Sequence, residues 1–323
     1  MRRPELCGWL FLACCAWGGM SAAHAQFPNK PVRIIAAFPP GGGADTIARI
    51  VSPPMSEALG QQVVVENRPG RRGNVGAEFV AKSPPDGYTM LVLTNGYLVG
   101  AALHKNLGYN VVRDFAPVVL LASSAFIVVV HPSVPVKSLR ELIALAKARP
   151  GQLDFASSGI GSGTHFAGEL FNSMAGTKIH HIPYRGGGPA VAALVVGEAA
   201  VGFASMPSVI HHVKSRRLRG LAVTSARRSQ QMPDLPTVSE SGVSRYEAGV
   251  WYGLVVPSGT PTEIISRLNA ESLKVLKLQD VSERMAGAGI TPLGNTPEEF
   301  GAFIGSELEK WGKVVKAIGM RAQ

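Results

Sequence analysis

Apolar runs of strand length alternate along this chain with segments of helical spacing, and the joins between them are dense in glycine. Val32 to Phe38 is apolar and opens into Pro39-Pro40-Gly41-Gly42-Gly43, after which Ala44 to Leu59 has the spacing of a helix. Val63-Val64-Val65 follows and ends at Glu66-Asn67-Arg68-Pro69-Gly70. Asn74 to Ala81 forms a helix, Pro84-Pro85-Asp86-Gly87 a turn, and Tyr88 to Leu93 a third strand. Strands that alternate with helices of this length make parallel sheets, so the expected class is α/β.

The alternation breaks twice. After Asp114-Phe115-Ala116-Pro117 two apolar runs, Val118 to Leu121 and Phe126 to Val130, succeed each other with no helix between them. Such a stretch reads as a crossover between lobes. A second α/β unit follows, with helices at Ser138 to Ala148, about His165 to Met174 and Pro189 to Val196. Its strands fall at Asp154 to Ala156, Lys178 to Pro183, Ala200 to Ala204 and Leu218 to Thr224. Val250 to Pro257 would carry the chain back, and helices at about Pro261 to Lys277 and Pro297 to Ile318 finish it. Two crossings predict two α/β lobes around a central cleft, residues 26–122 with 245–323 forming a discontinuous first lobe and 123–244 the second. No period of 20 to 50 residues recurs, which excludes a solenoid.

Residues 1–25 stand outside this pattern. Arg2 and Arg3, the apolar run Leu10 to Trp17 and Ala23-His24-Ala25 read as a secretory signal peptide, too short to span a bilayer, where about 20 residues are needed. A lipoprotein reading through Cys14 or Cys15 competes, but Phe11-Leu12-Ala13-Cys14 is a poor lipobox and the Ala-x-Ala site lies downstream. All three cysteines fall in this segment, so the exported chain has no thiol chemistry or disulfide. Its formal charge drops from +10 to +9 on losing two arginines and one glutamate. A basic balance favours anionic partners. The basic residues are scattered, without interleaved aromatics, which argues against nucleic acid.

Three strand ends open into loops of Gly, Ser or Thr that lead straight into a helix: Phe38 to Asp45, Ser157 to His165, and Tyr184 to Pro189. A helix start leaves backbone N–H groups unpaired and carries partial positive charge, while glycine lets a ligand come close to the main chain. Each loop is therefore a candidate anion cradle, with Gly41 and Gly42 in the first and the hydroxyls of Ser157, Ser158, Ser162 and Thr164 in the second. None matches a nucleotide-binding fingerprint. For Asp45, a ligand contact and a helix cap stand open. Arg185 fits either a bidentate carboxylate partner or a solvated surface position. His165 beside Ser162 raises a hydrolase, but no acid orients the imidazole, so binding or structure is the better role. The pairs His180-His181 and His211-His212 look metal-like, yet neighbours on a strand face opposite ways and no further ligand sits at a useful spacing. No metal, cofactor or catalytic residue is expected.

These segments resemble the Bug family of tripartite tricarboxylate transporter solute receptors. The resemblance rests on Phe38-Pro39-Pro40-Gly41-Gly42, Val64 to Gly70 with Gly73 to Glu78, Pro85 to Thr89, Asp114 to Pro117, and Ser158 to Ser162 with His165. Ala167 to Phe171, Pro183 to Gly186, Leu221 to Ser225 and Trp251-Tyr252-Gly253 extend it to most of the chain. It implies a type II periplasmic binding protein, a Venus-flytrap clamp acting as a monomer, which closes on a small carboxylate and passes it to a membrane permease. It implies further that the loop from Ser157 to His165 holds a ligand carboxylate, that Gly41 to Asp45 contributes, and that Phe38 and Thr94-Asn95 line the cleft. A receptor that presents its closed form to a membrane sensor is the alternative role. The chain departs from the pattern at Ala204-Ser205, where many relatives carry Asp-Asn, and at Ile160, where Asn is common. Ser205 is accordingly a candidate for ligand choice, and the missing carboxylate favours an acid without an amine.

Overall fold

A computed structural model describes residues 27–70, 73–103 and 107–317. The expected signal peptide lies outside them. Along the chain run β1 (Val32–Ala36), α1 (Gly43–Leu59), β2 (Val63–Asn67), α2 (Asn74–Ala81), β3 (Thr89–Thr94), α3 (Asn95–Leu103), β4 (Phe115–Val130) and α4 (Leu139–Ala148). Then come β5 (Asp154–Ser157), α5 (Gly163–Ala175), β6 (His180–Pro183), α6 (Gly187–Val196), β7 (Val201–Ser205), α7 (Met206–Lys214) and β8 (Arg219–Val223). After the return strand β9 (Gly249–Pro257) the chain closes with α8 (Thr262–Leu276), α9 (Gln279–Gly287), β10 (Ile290–Pro292) and α10 (Pro297–Ala317).

The strands line up in the order β2-β1-β3-β9-β4-β7-β5-β6, with β8 and β10 also on β4. The βα units pair in parallel, β1 with β2 and β3, and β5 with β6 and β7. The crossing strands are antiparallel to their neighbours. Where two separate apolar runs are expected, the structure has one strand. Residues 115–125 of β4 pair with β9, and residues 126–130 pair with β7 and β8. Ser123 and Ser124, which interrupt the apolar run, sit where the strand passes from one lobe to the other, and their polarity is absorbed locally. Ser124 Oγ donates to the Gly289 carbonyl at 2.8 Å, and β10 pairs alongside.

Each sheet is covered on both faces, which is why its central strands read as continuous apolar runs. β3 is buried throughout, as is β4 from Val118 to Ala122 and from Phe126 to Val130. In the first lobe the stripe Ile47, Val51 and Met55 of α1 packs with Leu268 and Val275 of α8 on one face. Ala77, Leu98, Phe300 and Ile304 from α2, α3 and α10 cover the other. In the second lobe Leu142 and Phe171 of α4 and α5 face Leu194 and Val209 of α6 and α7 across the sheet. Among the described residues no helix is long and apolar enough to cross a membrane.

Beyond the paired stretch of β4 and β9, one residue adds a further tie between the two crossing strands. Thr224, fully buried after β8, accepts the Phe126 N–H at Oγ1 (2.8 Å), and that hydroxyl lies 2.7 Å from the Ala248 carbonyl. Its own N–H donates to Phe126 O and its carbonyl accepts from Ala248 N–H, both at 3.0 Å. A cavity of about 1120 Å³ opens beside this hinge, bordered by Ser225, Arg228, Glu247, Trp251 and Glu307.

Candidate ligand-binding site

The loop from β1 to α1 is fixed from beneath by Asp45. One carboxylate oxygen accepts the Gly41 N–H at 3.1 Å, and the other accepts Arg49 Nε and Asn67 Nδ2, both at 2.9 Å. Asn67 also donates to Phe38 O at 3.0 Å. Of the two roles open from sequence, the structure gives Asp45 the internal one: it clamps the loop and compensates the start of α1. The N–H groups of Gly43 and Ala44 make no hydrogen bond among the described residues.

The loop from β5 to α5 is held by its own hydroxyls. Ser162 Oγ caps the helix, accepting His165 N–H at 3.2 Å, and lies 3.0 Å from Thr164 Oγ1. Thr164 Oγ1 accepts Ser158 N–H at 2.8 Å and sits 3.2 Å from Ser158 Oγ. His165 Nδ1 accepts Gly161 N–H at 3.1 Å, and its Nε2 lies 3.9 Å from Glu169, whose carboxyl burial pushes up. The imidazole therefore faces the loop backbone and Glu169, and Ser162 has no base against its hydroxyl. That arrangement removes the geometric basis for a Ser162/His165 nucleophile. The N–H groups of Gly163 and Thr164 at the start of α5, and of Gly187 and Gly188 at the start of α6, likewise make no hydrogen bond among the described residues.

These helix starts meet. A Cβ on Gly187 would stand 3.4 Å from Gly42 Cα and 3.6 Å from Ser158 Oγ, and one on Gly186 2.7 Å from Pro39. A Cβ on Gly188 would overlap the Pro40 carbonyl. On the other side of the junction a Cβ on Gly96, early in α3, would lie 3.8 Å from Gly163 N. At Gly186 and Gly188 only a glycine lets the lobes come this close. The N-termini of α1 and α3 from one lobe thus confront those of α5 and α6 from the other. Like-signed helix ends repel, each interacting with an anion by about 0.3 to 1 kcal/mol when exposed and up to ~2 when partly buried. The arrangement favours a negative guest, and none of the residues named at this junction is Lys or Arg.

Buried polar atoms without partners mark the same place. Asn95 donates to the Gly249 carbonyl at 2.8 Å, but its Oδ1, near Gly163, has none. The Tyr252 hydroxyl, packed against Gly43, interacts with Ser205 but makes no hydrogen bond of good geometry among the described residues, and burial pushes its phenol far above the ordinary range. Nearby, Ser205 Oγ bonds Ser208 Oγ at 2.7 Å, and the Ser208 hydroxyl would lie 3.8 Å from a Cβ on Gly187. Gly41, Gly42, Asn95, Ser158, Ser162, Thr164 and Ser205 are therefore brought to the junction. Phe38 flanks it, packing on Tyr97 with ring centroids 6.0 Å apart. Ser157 and His165 sit behind it, and Arg185 is exposed to solvent.

Sequence reading missed Tyr252 and Ser208. Tyr252 lies on a crossover strand, and Ser208 on α7, a helix hidden by Met206-Pro207. No helix is expected from sequence at His211-His212. They occupy the last turn of α7. His180 and His181 do lie on a strand and diverge, His180 to Asp154 at 3.1 Å and His181 to Ser157.

Residues 47–320 match the model of the tripartite tricarboxylate transporter family receptor. The chain belongs to this family. It is 38% identical over 297 residues to protein BugT of Bordetella pertussis, covering 91% of each chain. The structure of Rpa4515 of R. palustris with adipate superposes with a TM-score of 0.89 at 34% identity, over 91% of this chain and 99% of that one. MatC of Rhodopseudomonas palustris with bound malate gives 0.85 at 29%, over 90% and 100%. The family and its structural neighbours are substrate-binding proteins, not enzymes, and this receptor shares their mixed α/β fold.

Proposed function

We propose that this receptor captures a small carboxylate in the periplasm by closure of its two lobes, residues 26–122 with 245–323 against 123–244. In this reading residues 1–25 are a cleaved signal peptide. The observation that carries the proposal is the convergence, from both lobes, of helix starts whose amides have no internal partner. Relatives that hold adipate and malate support the ligand class. A carboxylate would accept N–H groups of α5 at Gly163 and Thr164, with the hydroxyls of Ser158 and Thr164 beside it, while Gly43 and Ala44 approach from the facing lobe. Charge-assisted bonds of this kind are stronger than neutral ones. Because each lobe supplies only part of the cradle, an anion binds the closed form better than the open one, and that difference drives closure. Ser205 with Ser208 would read the remainder of the ligand. The closed monomer would then deliver it to the membrane subunits of a tripartite tricarboxylate transporter.

A melting panel of dicarboxylates, hydroxyacids and aromatic acids tests the ligand class. A ligand present at about 100 times its dissociation constant adds about 2.7 kcal/mol of stability, a shift of several degrees. At least one acid should produce it and its methyl ester should not. A panel in which no acid moves the melting temperature overturns the reading.

A further inference from the structure

His180-His181 is the sequence motif that the proposed function leaves unused. His181 lies on β6 and faces inward, half-buried. Its Nε2 stands 2.6 Å from Ser157 Oγ at the end of β5, and the same hydroxyl accepts Gly159 N–H at 3.0 Å. One turn on, His165 Nδ1 accepts Gly161 N–H at 3.1 Å. The two imidazoles stack on each other, centroids 3.9 Å apart and 20° from parallel, and Phe155 backs the His181 ring at 4.9 Å. One aromatic stack thus pins two alternate amides of the loop, at Gly159 and Gly161. Both glycines have positive φ, 120° and 78°, so the loop shape depends on being held there. Among the described residues the amides of Gly163 and Thr164, beyond them, and of Ile160, between them, make no hydrogen bond.

We infer that His181 is a positioning residue for the anion loop: by holding the Ser157 hydroxyl, it fixes the Gly159 amide and sets the direction of the loop without touching the ligand. Its place supports this. The outer side of the ring borders a separate cavity of about 540 Å³, lined by Glu169, Asn172, Lys178 and His180, not the junction between the lobes. The Ser157 hydroxyl, which accepts from Gly159, still has its proton to give to an unprotonated Nε2. Burial, with His165 and His180 as further contributors, depresses this imidazole to about 3, which keeps it neutral. The inference rests on the proposal that residues 157–165 cradle the ligand, but the loop geometry exists without ligand and is tested without it.

Amide hydrogen exchange of the ligand-free protein, read on peptides spanning residues 155–166, tests it. A hydrogen bond of ordinary strength corresponds to a change of about tenfold in protection. His181→Phe keeps the stack but cannot hold the hydroxyl, and it should speed exchange at residues 158–162 by about that factor. Ser157→Ala should do the same, which covers the case of a His181→Phe variant that does not fold. His181→Gln, which offers an amide to Ser157, should return most of the protection, and peptides from β1 to β3 should be unchanged in all three. Unchanged exchange in Ser157→Ala overturns the inference. So does a His181→Gln variant as fast as His181→Phe with the loss spread through the second lobe, since that is what a packing role alone produces. Failure of the acid panel would leave this result standing, so the two readings fail separately.

Discussion

At the scale of single residues, the site is defined by what is missing from side chains. Gly188 lets two lobes touch main chain to main chain, since a β-carbon there meets the Pro40 carbonyl of the facing lobe. That contact exists only when the lobes are together, whereas within α6 alanine is the better residue by up to about 1 kcal/mol. Gly188→Ala should therefore leave the melting temperature of the ligand-free protein unchanged or raised, and abolish most of the shift caused by a bound acid. If thermal melting shows the shift intact, the lobes do not meet at this point in solution. The glycine runs that build the junction were legible in the sequence because three such helix starts occur in series, where one alone fits ordinary turn and cap chemistry. The role of Asp45 was not: the residue type fits a cap and a ligand equally, and only the positions of Gly41, Arg49 and Asn67 around its two oxygens decide it.

At the scale of elements, legibility followed periodicity. Helix α2 and the strands of the βα units fall within a residue or two of expectation, whereas α3, α7 and α9 were not foreseen. Helix α3 follows β3 with no intervening turn residues, α7 opens on Met206-Pro207, and α9 is a short polar helix after Leu278. The long strand β4 was read as two because hinge serines interrupt its apolar run. The hinge itself depends on Thr224. Replacing it with valine keeps the shape but removes the hydroxyl that accepts Phe126 N–H and meets the Ala248 carbonyl, a loss of about 1 to 3 kcal/mol when buried partners are left unpaired. Urea unfolding should report that loss, and Thr224→Ser should recover most of it. An undiminished midpoint in the valine variant would show that the crossing strands hold without this tie. The imidazole stack behind β5 and β6 has a pH signature. His181 titrates at about 3 when folded and near 6.5 when unfolded, so between those values the unfolded chain binds the extra proton. Its contribution to stability is complete above about pH 6.5 and falls away towards pH 3. Urea midpoints measured from about pH 4 to about pH 7 should rise with pH, more gently in His181→Gln than in the natural protein. Parallel slopes would mean that the ring is not desolvated as described.

At the scale of the molecule, the lobes are joined on more than the glycine side. Phe166, on α5 of the second lobe, packs into the core of the first and meets Trp311 of α10 edge to face at 4.4 Å. Trp311 and Trp251 both donate to the buried Glu307 carboxylate, at 2.8 and 2.9 Å, which ties α10 to the return strand beside the hinge. These contacts join the lobes at a place separate from the glycine junction. Neither Glu307 nor Phe166 announced this in the sequence, because Trp251 lies 56 residues from Glu307 and the Trp311 that Phe166 meets is more remote still from it along the chain. Everything turns on whether amides from both lobes take hold of one anion. Backbone amide chemical shifts, followed by NMR while the acid with the largest melting shift is titrated in, measure this most directly. Gly43 and Ala44 should move together with Gly163, Thr164, Gly187 and Gly188, all with one dissociation constant. Saturable binding with shifts confined to one lobe, or to the hinge cavity, would contradict it.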